Sequence, residues 1–136
     1  MRRRAAALLT TLAMALSGPG LAAPFDGSKP FICAALEIHS CMTGVACEAQ
    51  TTEGIDAPRF LNISVADKKI TGTRPSGGSV DATIELVKHS QDMMFLLGAQ
   101  EAFAWNIAIG EADGKMVLTL SDNEDGVVIF GACTLR

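Results

Sequence analysis

From Phe31 onward the sequence is cut into apolar runs of strand length by short, turn-forming separators, and this cadence leaves few folds open. The runs are Phe31 to Cys41, Phe60 to Val65, Lys69 to Thr73, Val80 to Leu86, Met93 to Leu97, Phe103 to Ile109, Met116 to Leu120 and Val127 to Cys133. Between them lie Ala66-Asp67-Lys68, Arg74 to Gly78, Gly98 to Glu101, Gly110 to Gly114 and Asp122 to Gly126, rich in Gly, Pro and Asp. Val80, Ala82, Ile84 and Leu86 alternate with Asp81, Thr83 and Glu85, which predicts one packed and one wet face. In Phe31 to Cys41 the period is mixed: Cys33 and Ala35 face one way, Ile32, Leu36 and Ile38 the other, so burial on both faces is expected. Met42 to Pro58, with Gly44, Gly54 and Pro58, reads as a structured loop.

Parallel pairing needs crossovers of about a dozen residues, which these separators do not supply, so the strands pair antiparallel. A meander of eight strands leaves two open edges unless the sheet closes on itself. The expected fold is therefore all-β, a small antiparallel up-and-down β-barrel of about eight strands, with an open β-sandwich as the alternative.

The N-terminus reads as a secretory leader. Arg2, Arg3 and Arg4 form a basic segment, Ala5 to Leu16 an apolar one too short to span a bilayer, and Gly18-Pro19-Gly20 breaks any helix before the small residues Ala22 and Ala23. Residues 1–23 are expected to be a cleaved signal peptide, with the cut after Ala22 or Ala23, and 24–136 a single β domain. The hydrophobic partners of a twin-arginine signal do not follow the basic triplet, which favours the general secretory route. No later apolar run approaches the roughly 20 residues of a transmembrane helix, so no membrane span is expected in the mature protein. The implied location is periplasmic or secreted.

Cys33, Cys41, Cys47 and Cys133 all follow the leader, and an even number in a small exported domain points to two disulfides. Of the three pairings, Cys41 with Cys47 and Cys33 with Cys133 is expected, the second tying the first strand to the last. That bridge closes a loop of about 100 residues, for which chain entropy gives about 4 to 5 kcal/mol. No Cys-x-x-Cys pair exists and His39 and His89 are not spaced as ligands, so neither a metal nor another cofactor is expected.

Losing Arg2, Arg3 and Arg4 from 11 basic residues leaves 8 against 15 acidic ones, a net charge of −7 for the mature domain. Such a balance does not suit nucleic acid, whose phosphates require a basic face. Arg59, Lys68, Lys69, Arg74 and Lys88 lie in the middle of the chain, whereas Glu111, Asp113, Asp122, Glu124 and Asp125 crowd its last third.

Reactive constellations are hard to find. His39 beside Ser40 and His89 beside Ser90 would point to opposite faces of their strands, so they read as surface polar residues rather than parts of a Ser/His/Asp triad. Every cysteine is needed for a disulfide, which removes a thiol nucleophile. Ser121 to Gly126 resembles a calcium loop only until the register is checked: Ser121 and Ala132 stand where Asp and Glu are required, and a charged hairpin turn is the simpler reading. No Gly-rich phosphate loop is present. Trp105, the single tryptophan, shares a strand face with Phe103 and Ile107; the face either packs in the core or lines a barrel mouth that stacks on an apolar ligand. Met93, Met94 and Met116 read as core filler.

The chain resembles a group of uncharacterised short secreted proteins of alphaproteobacteria. The resemblance rests on Pro24-Phe25-Asp26-Gly27-Ser28-Lys29-Pro30 leading into Cys33, and on Arg59-Phe60-Leu61. Ile70-Thr71-Gly72-Thr73-Arg74-Pro75, Gly114-Lys115-Met116 and Phe130-Gly131-Ala132-Cys133-Thr134 extend it over nearly all of the mature chain. It implies a bacterial envelope or secreted setting and no catalytic residue. In architecture the chain is also similar to lipocalin-like barrels and to small barrel inhibitors of c-type lysozyme, whose Ser/Gly loop Ser76-Gly77-Gly78 matches only in composition.

The expected function is a non-enzymatic binding or accessory domain whose partner is a small apolar ligand or an envelope protein. Its candidate site is Trp105, Phe103 and Ile107. The alternative is an inhibitor of a hydrolase such as lysozyme, acting through exposed loops and an acidic surface; a small enzyme comes third, and requires His39 or His89 in a pocket with a carboxylate.

Overall fold

Alternation of apolar and polar residues, with separators too short for crossovers, produces one antiparallel sheet in the computed structural model, which describes residues 23–136. Its strands are β1 (Phe31–Met42), β2 (Glu48–Gln50), β3 (Phe60–Ser64), β4 (Lys69–Thr73), β5 (Ser79–Thr83), β6 (Leu86–Ser90), β7 (Met93–Gln100), β8 (Phe103–Gly110), β9 (Lys115–Ser121) and β10 (Asp125–Leu135). The expected signal peptide, Ala23 apart, lies outside the described residues. Among the described residues no helix is long and apolar enough to cross a membrane.

The strand order is β5-β4-β3-β1-β10-β9-β8-β7-β6, with β2 paired separately to β1. The two ends of this path, β5 and β6, are one stretch of chain with only Ile84 and Glu85 between them. Ile84 N donates to Lys68 O at 2.9 Å on one flank, and Glu85 N donates to Leu97 O at 2.9 Å on the other. The sheet thus curls round to a shared segment that changes partners halfway, and β5 with β6 counts as one stave of an eight-stave up-and-down barrel. The seam is β1 against β10, the first and last strands, as the closure argument requires.

Register arranges the inward side chains in rungs, because residues directly opposite on neighbouring strands share a face. Val87, Leu96, Ile107, Leu118, Ile129 and Ile38 pair in succession across six strands, and Met94, Ile109 and Met116 form a parallel rung beside them. Met94, Leu96, Ile107 and Ile109 are fully buried. At about 25 cal/mol per Å² of apolar surface removed from water, these rungs supply the main driving force for folding.

Two places depart from the simple alternation. The register of β1 on β10 shifts between Ala35 and Glu37, a bulge that leaves Leu36 opposite no residue and 72% exposed. Phe31 and Cys33 face the core before it, Ile38 after it, so inward positions pass from odd to even. This corrects the expectation that Leu36 and Ile38 share a face: one extra residue, not two-sided burial, mixes the period. Similarly, Leu86 is exposed rather than on the packed face of Val80, Ala82 and Ile84, because the strand changes partners at Glu85 and Val87 becomes the next inward residue.

Both expected disulfides are present, Cys33 to Cys133 and Cys41 to Cys47, and all four cysteines are thereby bonded. Cys33 and Cys133 lie directly opposite in the β1–β10 register, so the longer bridge clamps the barrel seam. Met42 to Pro58 is structured as expected, and contains β2 laid against the upper half of β1.

One end of the barrel is stoppered by the segment before β1. Phe25 N donates to Glu111 O at 3.0 Å, and its ring is buried edge-on against Phe31, centroids 5.9 Å apart. Gly114 makes room for this ring: its φ is +68°, and a Cβ there would stand 2.7 Å from Phe25 Cζ.

Candidate functional site

The other end of the barrel is hollow. The inward residues there continue the rungs of the core: Gly98, Trp105, Leu120 and Val127 are paired in succession on β7, β8, β9 and β10, above Ile107, Leu118 and Ile129. Across the barrel, Ala35, Leu61, Ile70, Val80 and Ala82 line the opposing wall. The result is a cavity of about 340 Å³ with apolar walls, at the low end of the range for small-molecule sites.

Trp105, Phe103 and Ile107, the residues expected to share a face, all line this cavity. They grade along β8 from the open end inward: Phe103 is 38% exposed, Trp105 is 7% and Ile107 is 1%. Gly98 stands opposite Trp105 in the register, and the indole packs against its backbone. Trp105 Nε1 is buried and has no hydrogen-bond partner among the described residues, so the cavity meets the indole as carbon surface rather than as a donor.

Three loops form the rim. Ile55, Ala57 and Pro58 come from the segment before β3, Arg74 from the β4–β5 turn, Gln100 from the end of β7 and Glu101 from the β7–β8 turn. Asp56 ties the first two loops together. Its carboxylate accepts from Ser76 N at 2.9 Å and from Ser76 Oγ at 2.8 Å, while its carbonyl accepts from Arg74 Nη1 at 3.0 Å. The two bonds from Ser76, with a smaller contribution from the Arg74 charge, hold the Asp56 carboxyl below the ordinary aspartate value. Sequence reasoning placed Arg74 in a basic stretch and at the start of a Pro/Gly turn, and the residues around Pro58 in a loop; no local pattern marks them as neighbours of Trp105.

The histidines lie elsewhere. His39 Nε2 is 2.7 Å from Glu37 Oε1, and His89 Nδ1 is 2.5 Å from Glu111 Oε1, with His89 about half exposed. Neither histidine is among the cavity's lining residues. Nor do the described residues contain a cluster of three or more groups able to hold a metal ion. The Ser121 to Gly126 segment is a tight turn in which the Asp122 carboxylate accepts from Glu124 N and Asp125 N, each at 2.7 Å.

No protein-family model matches the chain, and no curated protein or solved structure matches it either. The two disulfides fit an oxidising environment outside the cytoplasm.

Proposed function

We propose that this chain is a non-enzymatic binding domain of the periplasm or the secreted space, holding a small, largely apolar ligand inside its barrel. The observation that carries this reading is the cavity open at one end, walled by Trp105, Phe103 and Ile107 and stoppered at the other end by Phe25. A barrel built only for stability would be filled by side chains throughout, since a void forfeits dispersion contacts on every side. The Cys33–Cys133 disulfide across the seam limits how far β1 and β10 can shift to collapse such a void. The leader-like N-terminus and the resemblance to short secreted proteins of alphaproteobacteria belong to the same reading.

Trp105 supplies the assay, because it is the only tryptophan in the chain. Titration of the mature domain with 1-aminoanthracene is expected to change Trp105 emission saturably at one equivalent, and the Trp105→Phe variant is expected to bind the probe more weakly. Native mass spectrometry of protein taken directly from the envelope should show an added small-molecule mass. No saturable signal, together with an unliganded mass, would sink the reading.

A further inference from the structure

We infer that the cavity takes a single-chain amphiphile with a carboxylate head, its tail among Trp105, Ile107 and Leu118 and its head on the Arg74 guanidinium. This deepens the binding reading above and depends on it. Among the described residues that line the cavity, Arg74 alone carries positive charge, and the only other charged or amide side chains are Gln100 and Glu101. The deep wall therefore selects for hydrocarbon, and whatever polar recognition occurs has to occur at the rim. Trp105 does not contribute to it, because its one donor is closed off from the cavity.

Arg74 is held by uncharged acceptors, with the Asp56 carboxylate near enough to feel its charge but bonded to Ser76. Its backbone N donates to Gly78 O at 2.7 Å, and its Nη1 donates to the uncharged carbonyl of Asp56 at 3.0 Å. The carboxylate of Asp56 is committed to Ser76 instead, and the ion pairs among the described residues leave Arg74 without a partner in contact. A half-buried Arg74 with one N–H on a carbonyl keeps its remaining N–H groups for an acceptor, and its planar fork can hold a carboxylate through two parallel N–H···O bonds. Burial beside an apolar wall strengthens that attraction relative to water. Glu101 also borders the cavity, but it sits on an exposed turn at φ +56° and, among the described residues, forms no ion pair with Arg74.

The test compares decanoate, 1-decanol and decylamine, which share one tail and differ in the head, by calorimetric titration of the whole mature domain at neutral pH. Decanoate is expected to bind at least about tenfold more tightly than decanol, as a charge-assisted hydrogen bond predicts, with decylamine weakest. Arg74→Gln should abolish the difference between decanoate and decanol, whereas Arg74→Lys should keep part of it. If decanoate and decanol bind equally well to the unaltered protein, the assignment of Arg74 is overturned while the binding reading survives. If none of the three binds, both fall; if decylamine binds best, Glu101 sets the head chemistry and the inference is wrong. The comparison on unaltered protein decides the matter even if a variant at residue 74 does not fold.

Discussion

Gly98 and Trp105 face each other across β7 and β8, and the missing side chain at one is what lets the indole of the other lie against the opposite strand. A Cβ at residue 98 would stand 2.8 Å from Trp105 Cε2 and 2.8 Å from the Thr83 carbonyl, well inside contact distance. Gly98→Ala is therefore expected to destabilise the domain by about 1–3 kcal/mol, the usual cost of overpacking a core. Urea unfolding followed by Trp105 emission measures both the loss and the altered indole environment. An unchanged midpoint would show that the strands yield more easily than the contacts suggest.

The two disulfides differ in what they close. Cys33 and Cys133 are separated by 100 positions, Cys41 and Cys47 by 6. Chain entropy makes the first worth about 4 to 5 kcal/mol and the second about 2 kcal/mol. Replacing Cys33 and Cys133 by Ala should lower stability by the larger amount, and replacing Cys41 and Cys47 by the smaller, measured by chemical denaturation. Equal losses would mean that strain or residual structure, not loop length, governs both bridges.

Leu36 and Ile38 are two residues apart on β1 and, because of the bulge, lie in opposite environments, 72% and 4% exposed. Leu36→Gln should leave stability within about 0.5 kcal/mol, whereas Ile38→Ala should cost about 2–5 kcal/mol by opening a cavity in the core. Reversal of that order in thermal unfolding would place the register shift elsewhere.

Asp56 and Asp122 predict the acid limb of the stability profile. Hydrogen bonds from Ser76 to Asp56, and from Asp125 and Glu124 to Asp122, hold both carboxyls below their ordinary value of 3.8. A carboxyl lowered on folding contributes stability that is fully present above its unfolded value and is lost as pH falls through its folded one. Stability should therefore decline below pH 3.8, and Asp56→Asn with Asp122→Asn together should flatten that decline. Denaturant midpoints collected from neutral to strongly acidic pH provide the check.

The strands were legible in the sequence because half-buried antiparallel strands write their two faces as alternation. Trp105, Phe103 and Ile107 could be placed on one side of a strand for the same reason. The bulge at Leu36 and the change of partners at Glu85 could not, since each depends on pairing with a distant strand and leaves only a blurred period behind. Arg74, Ile55 and Pro58 join the site from loops whose position is set by the barrel's closure and by the bonds of Asp56, which are invisible to local patterning. Phe25, in a stretch with no periodicity, gave no sign that it would plug the far end.

That plug has a kinetic consequence. With Phe25 wedged over Gly114, a ligand held in the hollow as proposed would depart through the same doorway by which it arrived. That opening is bordered by the loops carrying Pro58, Arg74 and Glu101, and passage from one end of the molecule to the other would require the stopper itself to be drawn.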